Sequence, residues 1–224
     1  MNKIICILLF SAVLFASGCH NSTDVSVDEN NHVDHTVLAN TKNNLPIEQY
    51  AHWVADKTND LVKNKTISDI NYQIAFLPKD YLVYNELKNE DFTPEKFEAA
   101  RKNYVGMTYF KFRIEAKDAG TELLKYNLSS PAQYNARINY MSFKMQNDIF
   151  IVQGKDTLYP GMYHFERIYE IAPFATVMMA FDDKKFKPEN EFTVVYNDRL
   201  FNKGFIKYNY SPKQLIDLPN IPGV

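Results

Sequence analysis

The amino-acid sequence predicts a mainly β chain with N-terminal helices (α+β), built around an antiparallel β-sandwich. Three observations predict it. Hydrophobic residues make up 46% of the 224 residues and charged residues 23%, too apolar and too weakly charged for a wholly disordered chain. From residue 105 onward, apolar side chains recur at every second position, as in strands with one buried face. Asn, Asp, Gly and Pro punctuate those runs at short intervals, as hairpins require. With only 7 Gly the chain is no collagen-like rod, and a formal net charge of -2 gives no basis for nucleic-acid binding driven by global charge.

The elements follow in order. Residues 47–63 place Ile47, Tyr50, Ala51, Val54, Thr58, Leu61 and Val62 at helical spacing behind Pro46, which predicts an amphipathic helix. Its Trp53 also fits a membrane-surface helix, but Asp56, Lys57, Asp60 and Lys63 balance the polar face and leave no cationic excess. In residues 71–77, Tyr72, Ile74 and Phe76 alternate with polar or small residues, a half-buried strand ended by Pro78. A short helical turn over 81–87 follows. Thr93-Pro94 then reads as an N-cap and first helical residue, with Phe97, Ala100 and Tyr104 on one face.

Residues 105–116 form a strand, with Phe110, Phe112 and Ile114 facing one way and Lys111, Arg113 and Glu115 the other. Residues 137–145 fit two periods: Ile138, Met141 and Met145 mark a helix, whereas Met141, Phe143 and Met145 alternate. The following turn, Gln146-Asn147-Asp148, favours a strand. Strands over 149–152, 163–171, 175–181, 191–196 and 204–210 complete the pattern. Immunoglobulin-like topology is one arrangement that fits, without the buried disulfide of that fold.

The N-terminus reads as an address. Lys3 precedes thirteen mostly apolar residues, Ile4 to Ala16, too few to cross roughly 30 Å of hydrocarbon. Ala16-Ser17-Gly18-Cys19 follows. Small residues before a cysteine resemble the lipobox of bacterial lipoproteins, with Ala16 where Leu is most frequent. The resemblance covers this segment alone. It implies cleavage before Cys19, a diacylglycerol thioether on Cys19, and anchoring in the lipid bilayer by two or three acyl chains. Residues 20–46 lack aromatics and are rich in Asn, Asp, Ser and Thr, so they read as a flexible spacer. His32, Asp34 and His35 have metal-ligand chemistry; polar filling of a polar linker is the reading taken. His20, rather than Asp, follows Cys19, which favours the outer membrane over inner-membrane retention. Cys6 and Cys19 are the only cysteines, so a processed chain has no internal disulfide.

Four segments result: 1–18 signal peptide, 19–46 lipidated cysteine and tether, 47–104 helical segments with one strand packed on the body, and 105–224 an antiparallel β domain.

Chemistry is less legible. The sequence lacks GxSxG, HExxH, Walker-type and GxGxxG motifs. Asp148, Asp156, Glu166 and Asp182 are acids of the kind glycosidic chemistry needs, yet acids beside turns also serve solvation. His164 and Glu166 share a strand face, and Arg167 falls on the aromatic face with Tyr163 and Phe165; these three are the candidate ligand or network residues. Tyr208 and Tyr210 alternate with Lys207 and Asn209, which suits a core or a stacking surface. Asp156-Thr157-Leu158 resembles the short O-glycosylation acceptor of Bacteroidetes-type envelopes, with Thr157 as acceptor. No cofactor or metal is expected. The expected function is a noncatalytic envelope lipoprotein that binds a protein or glycan or scaffolds an assembly. A cell-envelope hydrolase and a purely structural lipoprotein are the alternatives.

Overall fold

Two antiparallel sheets face each other across a core of aromatic rings. The computed structural model describes residues 44–221, apart from 91, 118, 119, 121 and 167–171. The signal segment, Cys19, His32, Asp34, His35 and Arg167 lie outside the described residues. The five-stranded sheet runs β1 (Val62–Ile67), β2 (Ile70–Leu77), β3 (Met107–Ala116), β7 (Phe174–Asp182), β6 (Met162–Glu166). The four-stranded sheet runs β5 (Asp156–Leu158), β4 (Ile149–Gln153), β8 (Phe192–Asp198), β9 (Gly204–Tyr210). Every neighbouring pair is antiparallel.

The strand order is informative. Relabelled from β2 as A, the sheets read A-B-E-D and C′-C-F-G, the order of immunoglobulin-like sandwiches, with β1 added outside strand A. No cysteine lies on the strands to join B to F. On β3 and β8, the equivalents of B and F, Phe112 and Tyr196 meet edge to face instead, with ring centroids 5.1 Å apart. Such pairs add to the burial of the rings themselves.

Period two supplies the core. Phe110, Phe112 and Ile114 are buried on β3, and Val194, Tyr196, Ile206, Tyr208 and Tyr210 answer from β8 and β9. Phe110 touches both Phe192 and Tyr210, and Phe192 stacks on Tyr210 at 5.1 Å with ring planes 9° apart. The tyrosine hydroxyls are not stranded in this interior. Tyr208 donates to the Tyr72 carbonyl (2.9 Å) and Tyr210 to the Leu61 carbonyl (3.3 Å), stitching sheet to sheet.

The helices cap this core. α1 (Ile47–Ala55), α2 (Lys79–Leu87) and α3 (Pro94–Arg101) contribute Tyr50, Val54, Val83, Leu87, Phe97 and Ala100 to it. Trp53 stacks on Tyr50 and packs against the same cluster. The Thr93 hydroxyl accepts from the Lys96 amide (3.3 Å), as an N-cap does. α1 stops at Ala55, short of the predicted 63. Asp56 is extended and its side chain accepts from the Thr58 amide, while Asn59 bonds to the Trp53 carbonyl and receives the Leu61 amide. These local bonds compete with further helix. The chain then turns into β1 and pairs with β2 through a two-residue loop whose Ser68 has φ +57°, the positive φ that hairpins of this length use. The first sheet therefore runs across the predicted boundary at 104/105.

Residues 137–145 are helical, not a strand. α4 (Pro131–Asn139) passes into a π-helical turn over 140–144 and a 3₁₀ turn over 145–147. A strand would have put Met141, Phe143 and Met145 on one face. Met141 and Met145 are fully buried, whereas Phe143 is 66% exposed. The helical spacing of Ile138, Met141 and Met145 prevails once Ser130-Pro131 has started the helix. α5 (Pro212–Ile216) closes the described chain, with Ser211 and Gln214 forming a capping box. Nearby, a short parallel bridge joins Asn44 to Asn220.

Phe112 lies between rings of both sheets. Phe112→Ala should therefore cost about 3–5 kcal/mol, read as a lower urea midpoint with an unchanged slope. Thr93→Ala, which removes only a cap, should cost about 1 kcal/mol.

Candidate functional site

The polar centre of the interior is Asp198, the last residue of β8, which is 2% exposed. Its carboxylate accepts from the Tyr72 hydroxyl (2.7 Å) and the Tyr196 hydroxyl (3.1 Å). It also takes the amides of Leu200 (2.9 Å), Phe201 (3.1 Å) and Lys203 (3.1 Å). Five donors answer the desolvation of one buried charge. A second buried charge is close enough to feel it. Arg137 of α4 donates to the carbonyls of Leu124 (3.1 Å) and Tyr126 (2.6 Å), and its guanidinium lies 5.0 Å from the centre of the Phe201 ring. Burial pulls the Arg137 pKa down and the Asp198 charge opposes that. This network shapes the turn between β8 and β9; with its bonds made inward, it serves architecture.

The four acids named from the sequence sit on or beside different elements. Asp148 accepts from the Tyr140 hydroxyl (3.1 Å) and stands 3.7 Å from Arg199. Asp182 accepts from the Lys184 amide (2.9 Å) and so holds its own turn. Asp156 is exposed at the β4–β5 hairpin. Glu166 pairs in register with Thr176, six residues along β7 from Asp182, so roughly 20 Å separates them. Asp148 and Gln153, the register partner of Asp156, are five residues apart, about 17 Å along the strand. Glycosidic chemistry needs carboxylates within roughly 5–9.5 Å, a separation neither of these two pairs has.

On β6, Tyr163 and Phe165 turn inward against the core while His164 is exposed on the other face and Glu166 is half-buried. The Tyr163 hydroxyl reaches the Met141 carbonyl. Tyr208 and Tyr210 are core residues, 2% exposed each, which removes them as a stacking surface. Among the described residues, no group of three or more His, Cys, Asp or Glu is placed to hold a metal ion, and no helix is long and apolar enough to cross a membrane.

A different surface emerges on the outer face of the four-stranded sheet. Strand register sets its rows. Thr157, Val152, Thr193 and Asn209 form one row; Phe150, Val195 and Lys207 form the next; Asn197 and Phe205 lie beyond. Tyr159, just past β5, leans on Phe150 with centroids 5.6 Å apart. Phe205 is 62% exposed and Tyr159 56%. A cleft of about 490 Å³ lies over Phe150, Val152, Val195 and Phe205, with Thr193, Lys207 and Asn209 beside them. The Thr193 hydroxyl and Asn209 are bonded to each other at 3.0 Å. Thr157 is exposed and borders this face. The period of residues 204–210 carried the signal: Phe205, Lys207 and Asn209 share a parity opposite to the buried Ile206, Tyr208 and Tyr210. Compared with family models, curated proteins and solved structures, the chain matches none of them.

Asp198→Ala leaves two hydroxyls and three amides without their acceptor, and should cost about 3–5 kcal/mol in guanidinium unfolding; Asp198→Asn, which keeps an acceptor oxygen, should cost less. Alkaline pH tests the buried hydroxyls. Burial is the leading cause that raises the pKa of Tyr50, Tyr72, Tyr140, Tyr163, Tyr208 and Tyr210 far above the ordinary 10.0, and burial with the Glu86 bond pushes Tyr104 up to about 12. Folded values above unfolded ones mean that the native state binds more protons once pH passes 10. Their contribution should stay constant below that pH and fall as pH rises through the folded values. Tyrosinate absorbance from the buried set should appear only together with loss of the near-ultraviolet circular dichroism.

Proposed function

We propose that this chain is a membrane-anchored envelope lipoprotein whose sandwich has a noncatalytic binding or scaffolding role. The anchoring half rests on Ala16-Ser17-Gly18-Cys19 behind a short apolar run. The binding half rests on the exposed Tyr159 and Phe205 rings and the half-buried Phe150 around Val152 and Val195, on the outer side of a sheet whose other face fills the core. Aromatic side chains gathered on a surface favour contact with a partner over contact with water. Asp148 and Asp182 are engaged in hydrogen bonds, and Glu166 with Asp182, like Asp148 with Asp156, stand beyond catalytic separation, which favours binding over turnover. The outer membrane is the favoured destination, following His20 after the cysteine.

Mass spectrometry of the membrane-extracted protein should find a chain starting at Cys19 with a diacylglycerol and an N-acyl group. An intact signal segment would refute the anchoring. A photo-crosslinking residue at Phe205 should capture a discrete partner in intact cells, and one at Lys111, on the opposite sheet, should not. Equal yields at both positions would refute a binding role for this face.

A further inference from the structure

We infer that the outer face of the four-stranded sheet, continued around its lower end, binds an acidic oligosaccharide with carboxylates on its sugar rings. The inference deepens the binding role proposed above and rests on it.

The groove has two halves. The cleft of about 490 Å³ over Phe150 and Phe205 shares Val152, Thr193 and Asn209 with an open cleft of about 990 Å³. The second cleft runs past the β4–β5 hairpin to the loop between β7 and β8. Its charges are Lys155, Lys185 and Lys187 against Asp156 and Glu191. Lys207 adds a further cation in the first half. Four cations thus meet two acids in a chain whose formal net charge is -2. Among the described residues, none of these lysines forms an ion pair with a carboxylate. Lys187 donates to the Asp183 carbonyl (2.8 Å), while Lys155, Lys185 and Lys207 hold no carboxylate among the described residues, so an anion there meets cations whose charge is not already neutralised.

Size and chemistry select the occupant. Four strands about 4.8 Å apart and up to seven residues long present about 400 Å². A stable contact between two folded proteins needs about 800 Å² per partner. An oligosaccharide of a few rings fits the smaller footprint. A pyranose has an apolar C–H face and a rim of hydroxyls. Here aromatic rings and valines adjoin a row of hydroxyl and amide side chains, so both surfaces of the sugar find their complement. A peptide bound by strand addition would seek main-chain partners, and the face of a sheet offers side chains alone. The cations then select the charged sugar over the neutral one.

The test is calorimetric titration of the full chain in detergent micelles with hexagalacturonate, against maltohexaose, hexaglutamate and dT6. Hexagalacturonate should bind at least tenfold more tightly than the other three, and more weakly as salt rises. Lys185→Glu with Lys207→Glu should weaken it at least tenfold, as should Phe205→Ser, with near-ultraviolet circular dichroism unchanged; Phe205→Tyr should retain binding. Equal binding of maltohexaose, hexaglutamate or dT6, no binding at millimolar concentration, or indifference to these folded variants would overturn the inference. A protein captured through Phe205 in cells, with no glycan bound, would overturn it and leave the anchored binding role standing. An unprocessed N-terminus would overturn the anchoring and leave the groove's affinity unaffected.

Discussion

The carboxylate of Asp198 is the point at which the two sheets and the turn beside them become mutually dependent. Tyr72 comes to it from one sheet, Tyr196 from the other, and three amides come from the loop that must reverse the chain into β9. A buried anion tolerates few arrangements of its neighbours, because every unmatched donor or acceptor costs about 1–3 kcal/mol. The rings are then held in register by polar ends rather than by area alone. Sandwiches of this strand order that carry a disulfide fix the same pair of strands covalently. Here the ring contact of Phe112 with Tyr196 joins that pair, and the Tyr72 hydroxyl on Asp198 ties β2 to β8 beside it.

The edges of the sandwich are managed by charge. β1 is an outer strand with Lys63 and Lys65, whose ammonium groups lie 4.8 Å and 5.8 Å from the ring centres of Tyr210 and Tyr208. The stems shield the seam between the sheets while the heads discourage pairing with another strand. On the far side of the four-stranded sheet the balance is reversed: rings are left outward where a buried face would have hidden them. Inward order and outward display come from alternate residues of the same strands, and one-residue slippage would exchange them.

Much of this was legible in the sequence. Phe110, Phe112 and Ile114 against Lys111, Arg113 and Glu115 gave β3 and its inner face by parity alone. Thr93-Pro94 gave the start of α3. What escaped detection did so for physical reasons. β1 reads VKNKTI, polar because an edge strand must be, and so carries little hydrophobic period. Residues 137–145 satisfied two periods at once, and only the environment of Phe143 separates them. Asp198 could not be singled out among the acids, because its importance comes from Tyr72, which is 126 residues away. The outward face is half visible in the sequence: Lys207 and Asn209 alternate with tyrosines, and the parity that buries those tyrosines also presents Phe205.

The bridge between Asn44 and Asn220, reinforced by the Leu45 amide donating to the Asn220 carbonyl at 2.9 Å, brings the entry and exit of the described chain to one spot. A body wired in this way has no need of its natural starting point. A short linker across that spot would join its ends, and new ends opened at the exposed Gly154-Lys155 turn would give a circularly permuted chain with the same core. Equally, the whole unit can be spliced into a surface loop of a host protein through two adjacent joints, with little distortion asked of either.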